Sequence, residues 1–170
     1  VTIMGNSLAS ISRKNVIVPV NVHQILTLKD LTIEKLESIE KELAEEKGDN
    51  TIITNNFLNG TFVRECFIPA GTFIIGAIHK TAHMSIMAYG HLLLWDSNSG
   101  KAVEVRGYHR SESPPGTKRV AYAFEDTMYI TCHKAEKVLT EESEIRKAYT
   151  YENYRSFLLE NPSVQLLCKP

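Results

Sequence analysis

Residues 67–90 read FIPAGTFIIGAIHKTAHMSIMAYG. Pro69-Ala70-Gly71 ends the alternating run TFVRECFI that precedes it, which marks a strand followed by a turn. His79 and His83 are four residues apart, the spacing of a metal pair on one face of a helix. Pro69, Gly71, Gly76 and the β-branched run TFII argue against helix, so the stretch is read as strands and turns. On a strand, His83, Ser85, Met87 and Tyr89 share one face, while Met84, Ile86 and Ala88 share the other.

Working outward, the β pattern continues on the C-terminal side. HLLLWD and KAVEV flank Asp96-Ser97-Asn98-Ser99-Gly100, which reads as a hairpin loop. VAYAFEDTMYITCH reads as two short strands broken at Glu125-Asp126. Tyr129, Thr131 and His133 fall on one face of the second, and Tyr122 and Phe124 oppose Ala121 and Ala123 in the first. Helical patterns lie on either side of this β region. TLKDLTIEKLESIEKELAEEK spaces Leu31, Ile33, Leu36, Ile39 and Leu43 as an apolar stripe, which predicts a helix over about 29–47 with Thr27 or Thr32 as cap. It stops at Gly48-Asp49-Asn50. A second helix is expected over about 141–160, capped by Thr140 or Ser143 and stopped by Pro162. The run NVIVPVNVHQIL is read as an additional edge strand.

Composition fits one globular domain spanning 1–170: 43% of residues are hydrophobic and 23% charged. The formal charge of −1 gives no global field for a nucleic acid polymer or an anionic membrane. No apolar run reaches the roughly 18 residues of a membrane span. VTIMGNSLASISRKN lacks the apolar core of a signal peptide. Cys66, Cys132 and Cys168 are odd in number and irregularly spaced, so reduced thiols in a cytoplasm are expected rather than a disulfide framework. There is no G-x-S-x-G elbow, phosphate-binding Walker loop or H-E-x-x-H.

Two spacings carry a resemblance. Gly71, Ala77, His79, His83 and Gly90 fall at the positions of G-x5-H-x-H-x3-E-x6-G, with Ala77 for the first histidine and His83 for the glutamate. Gly107, Pro114, Gly116, Arg119 and Ala123 follow G-x5-P-x-G-x2-H-x3-N with one extra residue before the proline. Arg119 takes the place of the last histidine and Ala123 that of the asparagine. These are the two motifs of the cupin superfamily, which the chain resembles over roughly 62–133. It looks most like the small cupin-like proteins of tailed bacteriophages. The resemblance implies a mainly β fold: one cupin-type antiparallel β-barrel or jelly roll over about 60–133, flanked by the two helices. It also implies a homo-oligomer paired through its sheets and, for a phage protein, the host cytoplasm.

In the family, motif ligands hold a divalent transition metal. Here His79 and His83 keep two ligand positions, and His133 is the third candidate from a neighbouring strand. His91 and His109 are weaker ones. A metal on His79, His83 and His133, a hydrogen-bonded histidine cluster, and metal-free ligand contacts are the open readings. With two ligand positions altered, the expectation is a protein without a bound cofactor. Arg119 brings planar donors suited to phosphate or carboxylate. Lys80, Arg110 and Lys118 are expected as solvated charges. The expected ligand-binding set is His79, His83, Ser85, Tyr89, Arg119, Tyr122, Tyr129 and His133. The function this favours is capture of an anionic small molecule, such as a nucleotide-derived host defence signal. A metal-dependent isomerase, lyase or oxygenase is the alternative, and a virion or assembly component is the third.

Overall fold

A computed structural model describes residues 9–11, 32–45 and 51–163. The run NVIVPVNVHQIL, Thr27, the helix stop at Gly48-Asp49-Asn50 and Cys168 lie outside the described residues. The fold is mainly β. In chain order the elements are β1 (Ala9–Ile11), α1 (Ile33–Glu45), β2 (Ile52–Leu58), β3 (Thr61–Ile68), β4 (Phe73–Ile75), β5 (Ile78–His79) and β6 (His83–Asp96). They continue with β7 (Lys101–Arg106), β8 (His109–Ser113), β9 (Arg119–Lys134), α2 (Glu142–Tyr149), β10 (Thr150–Tyr151) and α3 (Tyr154–Glu160).

Two long strands organise the molecule. β6 and β9 pair antiparallel along nearly their whole length, with register shifts between Met87 and Leu92. The bend at these shifts divides the sheet into two leaves. In one, β1, β2 and β3 lie beyond the C-terminal half of β9, and β8 borders the N-terminal half of β6. In the other, β4 borders the N-terminal half of β9 and β7 the C-terminal half of β6. Glu125-Asp126 is therefore not a break between strands; it lies within one 16-residue strand. The bend needs Gly90. Its φ is +114°, and a Cβ there would lie 2.1 Å from Thr127 Oγ1.

The main sheet is not closed into a barrel, contrary to the expectation from sequence. Its hydrogen-bonded path runs from β1 to β7 without joining the two ends. β9 gives one edge to β3 in one leaf and to β4 in the other, so the leaves are joined along β6–β9 while the outer strands of the path stay apart. Ile68, Met87, Leu92, Leu94, Ala121 and Ala123 pack between them. On the outer face of the second leaf, Leu93, Trp95 and Val120 pack with Leu36 of α1. Thr32 Oγ1 accepts from the Lys35 N–H, so Thr32 serves as the cap.

The expected C-terminal helix is two helices. Thr150-Tyr151 leaves the helical path and pairs as β10 with His79 and Ile78 of β5. Asn153 then restarts the helix by accepting from the Ser156 N–H. A β-branched threonine beside a tyrosine favours strand, and an asparagine two residues on favours a new N-cap. Glu141, without a side-chain cap bond, starts α2 in place of Thr140 or Ser143. No helix among the described residues is long and apolar enough to cross a membrane.

Candidate functional site

Three strands deliver three histidines to one place. His83 opens β6 and lies directly opposite His133 on β9, where cross-strand side chains are neighbours. His79 is on β5, held by β10 through the Thr150 pairing and by Thr117, whose carbonyl accepts its N–H at 3.2 Å. The His79 and His83 rings are 4.1 Å apart and the His83 and His133 rings 4.5 Å. One nitrogen from each of the three rings can be chosen so that all lie within 4.8 Å of one another.

Burial keeps these imidazoles neutral. It drives His79 from 6.5 to about 2, with His83, His133, Arg64 and Arg119 adding repulsion. Burial also takes His133 to about 3, aided by His83 and Arg64. His83 is lowered by burial and by Arg119, against the opposing effect of its bond to Thr81. Thr81 addresses two of the rings: its carbonyl is 3.1 Å from His83 Nδ1 and its hydroxyl 3.4 Å from His133 Nδ1. A proton held on Nδ1 by such acceptors leaves Nε2 with a lone pair. His79 Nδ1 is buried and has no hydrogen-bond partner among the described residues.

These nitrogens suit a borderline divalent metal. Neutral imidazole is the donor such ions take, and three protein donors leave one position open in a tetrahedral set. Tetrahedral bonds of about 2.0–2.1 Å place donor atoms about 3.4 Å apart, so the rings need to close slightly on an ion.

Arg119 is in the same cavity and is bonded through all three of its guanidinium nitrogens. Its Nε donates to Asp96 Oδ2 at 2.8 Å. One terminal nitrogen faces Ser85 Oγ and Ser113 Oγ at 2.6 Å and the Tyr129 hydroxyl at 3.2 Å, and the other faces Ser111 Oγ at 3.4 Å. The guanidinium thus ties β6, β8 and β9 together, and Asp96 balances its charge. Asp96 and the serines of β8 were missed in sequence. Asp96 read as a loop residue, and the alternation of Ser111 and Ser113 on a strand is the signal that would have found the serines.

The cavity measures about 270 Å3 and includes His79, His83, Ser85, Arg119 and Tyr129 among its lining. His133 joins it through the histidine cluster. Tyr89 and Tyr122 are not brought in, which corrects the expected set. Tyr89 follows the register shift and is 48% exposed. Tyr122 is on the outer face, packed against the cluster that contains Leu36. His91 is bound to Glu104 and Arg106, away from the triad, and His109 is exposed.

The surrounding charges also differ from expectation. Lys118 is 3% exposed, not solvated; its backbone N–H donates to Ser97 Oγ, and it borders an outer cleft. Lys80 reaches the Lys147 carbonyl and lies over the Tyr151 ring. Arg110 is exposed, as expected. Cys66 and Cys132 are half-buried, and burial raises the Cys132 pKa.

No family model matches the chain, and no curated protein matches it. Among solved structures it is similar to KdgF from Halomonas sp., at 11% identity over 51% of this chain and 80% of that one, with a TM-score of 0.44. It is similar to an RmlC-like cupin from Shewanella frigidimarina at 12% identity over 57% and 83%, with a TM-score of 0.44. It is also similar to hydroxypropylphosphonic acid epoxidase from S. wedmorenis at 6% identity over 51% of each chain, with a TM-score of 0.43. Likeness of this degree carries no argument about ligand or chemistry.

Proposed function

We propose that this chain is a cupin-like small-molecule-binding protein whose pocket is built on a divalent transition metal held by His79, His83 and His133. The observation that carries the reading is the convergence of three neutral imidazole nitrogens within 4.8 Å at a cavity. The unpartnered Nδ1 of His79 and the fixing of two rings by Thr81 support it. A bound metal supplies a Lewis acid that orients and polarises an oxygen or nitrogen donor of the ligand. The carboxylates near the cavity favour binding over acid–base chemistry: Asp96 is committed to Arg119, and Glu142 to Arg64.

Anion capture through Arg119 is disfavoured, because Asp96 already neutralises it and hydroxyls occupy most of its remaining donors. The phage resemblance keeps its place as a proposal on setting: a homo-oligomer that captures its ligand in a host cytoplasm. The test of the metal is elemental analysis of full-length protein made in medium supplemented with zinc, iron and manganese. About one transition metal per chain is expected, with loss in His83→Ala. Metal-free wild type that stays metal-free on titration would overturn the reading.

A further inference from the structure

Three arginines among the described residues line the cavity, and they differ in how their charge is balanced. Arg119 is paired with Asp96. Arg64 is paired with Glu142 at 2.7 Å and also donates to Asn55. Arg146, in the last turn of α2, has no ion-pair or side-chain hydrogen-bond partner for its guanidinium among the described residues. It is exposed, and it borders both this cavity and the outer cleft. It therefore stands where the cavity meets solvent.

The rest of the lining says what an anion at Arg146 would be attached to. Ile68, Ile74, Leu92, Leu94 and Ala121 form an apolar wall. Thr131, which is 9% exposed, has a buried hydroxyl with no hydrogen-bond partner among the described residues. A volume of about 270 Å3 is small for a ligand pocket, just below the roughly 300–1,000 Å3 range.

We infer that Arg146 is the anion-recognition residue of this cavity, and that its ligand class is a compact organic acid with an apolar body. The carboxylate or phosphonate meets the guanidinium at the mouth, where planar donors match its oxygens. The apolar body lies on the isoleucine and leucine wall. This rests on reading the cavity as a ligand pocket, but it does not require the metal.

The test compares hexanoate with its neutral isostere hexanamide, by calorimetry on the full chain with zinc and with a chelator. In chelated wild type, hexanoate should bind about tenfold or more tightly than hexanamide, as expected for a charge-assisted bond. Arg146→Gln should abolish that preference while leaving hexanamide binding and the melting temperature unchanged, and Arg146→Lys should restore part of it. An unchanged preference in Arg146→Gln would overturn the inference. A preference seen only with zinc, and lost in His133→Ala, would overturn it too while supporting the metal. Loss of preference in Arg146→Gln with no effect of zinc on either ligand would uphold Arg146 and count against the metal. Failure of both compounds to bind in the millimolar range would show that the ligand class is wrong.

Discussion

Arg119 and the three histidines share one cavity and are finished to opposite degrees. Arg119 has a carboxylate and several hydroxyls around it, so its charge and most of its donors are engaged inside the protein. The histidines are neutral and buried, and each turns at least part of its ring toward the others rather than toward a committed partner. One region has been closed by internal bonds; the other retains bonding capacity. Falling at a ligand position of a motif that the sequence resembles does not by itself make a residue a binding residue. Arg119 falls at one and acts as a tie between strands, while His133 lies outside both motifs and completes the cluster.

The sharpest break of this comparison is Arg119→Met. If the arginine is structural, the change leaves Asp96 without its cation in a partly buried place. It should cost about 3 kcal/mol of unfolding free energy by urea denaturation. A loss below about 0.5 kcal/mol, with weakened ligand binding, would mean that Arg119 faces the ligand instead.

A smaller effect should appear in the histidines as a dependence on acid. Their folded-state pKa values are depressed, so the unfolded chain binds more protons once the pH falls below the ordinary 6.5. The stability is therefore full above about pH 6.5 and is lost as pH falls toward the folded values of about 2 and 3. Between pH 7 and pH 5, in chelator, His79 and His133 should each account for at most about 2 kcal/mol. His133→Asn should flatten the profile. A wild-type profile that is flat from pH 7 to pH 5 would contradict buried, neutral rings.

The smallest effect is expected where two expected ligand residues lie outside the cavity. Tyr89→Phe and Tyr122→Phe should each change stability by about 0.5 kcal/mol or less and leave ligand binding unchanged. A selective loss of binding in Tyr122→Phe would place that hydroxyl in the site after all.

What the sequence disclosed follows from what period and spacing encode. Period two on β6 put His83 and Ser85 on one face, and the same period on β9 grouped Tyr129, Thr131 and His133. Both assignments end in the cavity or the histidine cluster. The same reasoning failed for Tyr89, because the register shifts after Met87 change which way the strand faces. It failed for Tyr122, because the outer face of that leaf is also buried, under Leu36. Lys118 was misread for a related reason, since alternation turns a side chain away from one interior without saying whether another element covers it. The C-terminal helix was misjudged where a tertiary need decided: the backbone of His79 takes a strand partner from Thr150. Closure of the sheet depends on long-range pairing between its ends, which neither motif encodes. Asp96 shows the same limit, since its carboxylate meets Arg119 across the β6–β9 pairing.

On the proposed reading His133, and not Arg119, completes the ligand set with His79 and His83. Cobalt(II) titration of metal-free protein, followed by its visible absorption, tests it directly in wild type, His133→Ala and Arg119→Lys. Wild type should bind one cobalt per chain. His133→Ala should weaken binding beyond the ~10–100-fold that loss of an outer-shell partner costs, because a ligand is removed. Arg119→Lys should stay within about threefold of wild type, well under that outer-shell cost. Unchanged cobalt binding in His133→Ala, or a loss confined to Arg119→Lys, would remove His133 from the ligand set.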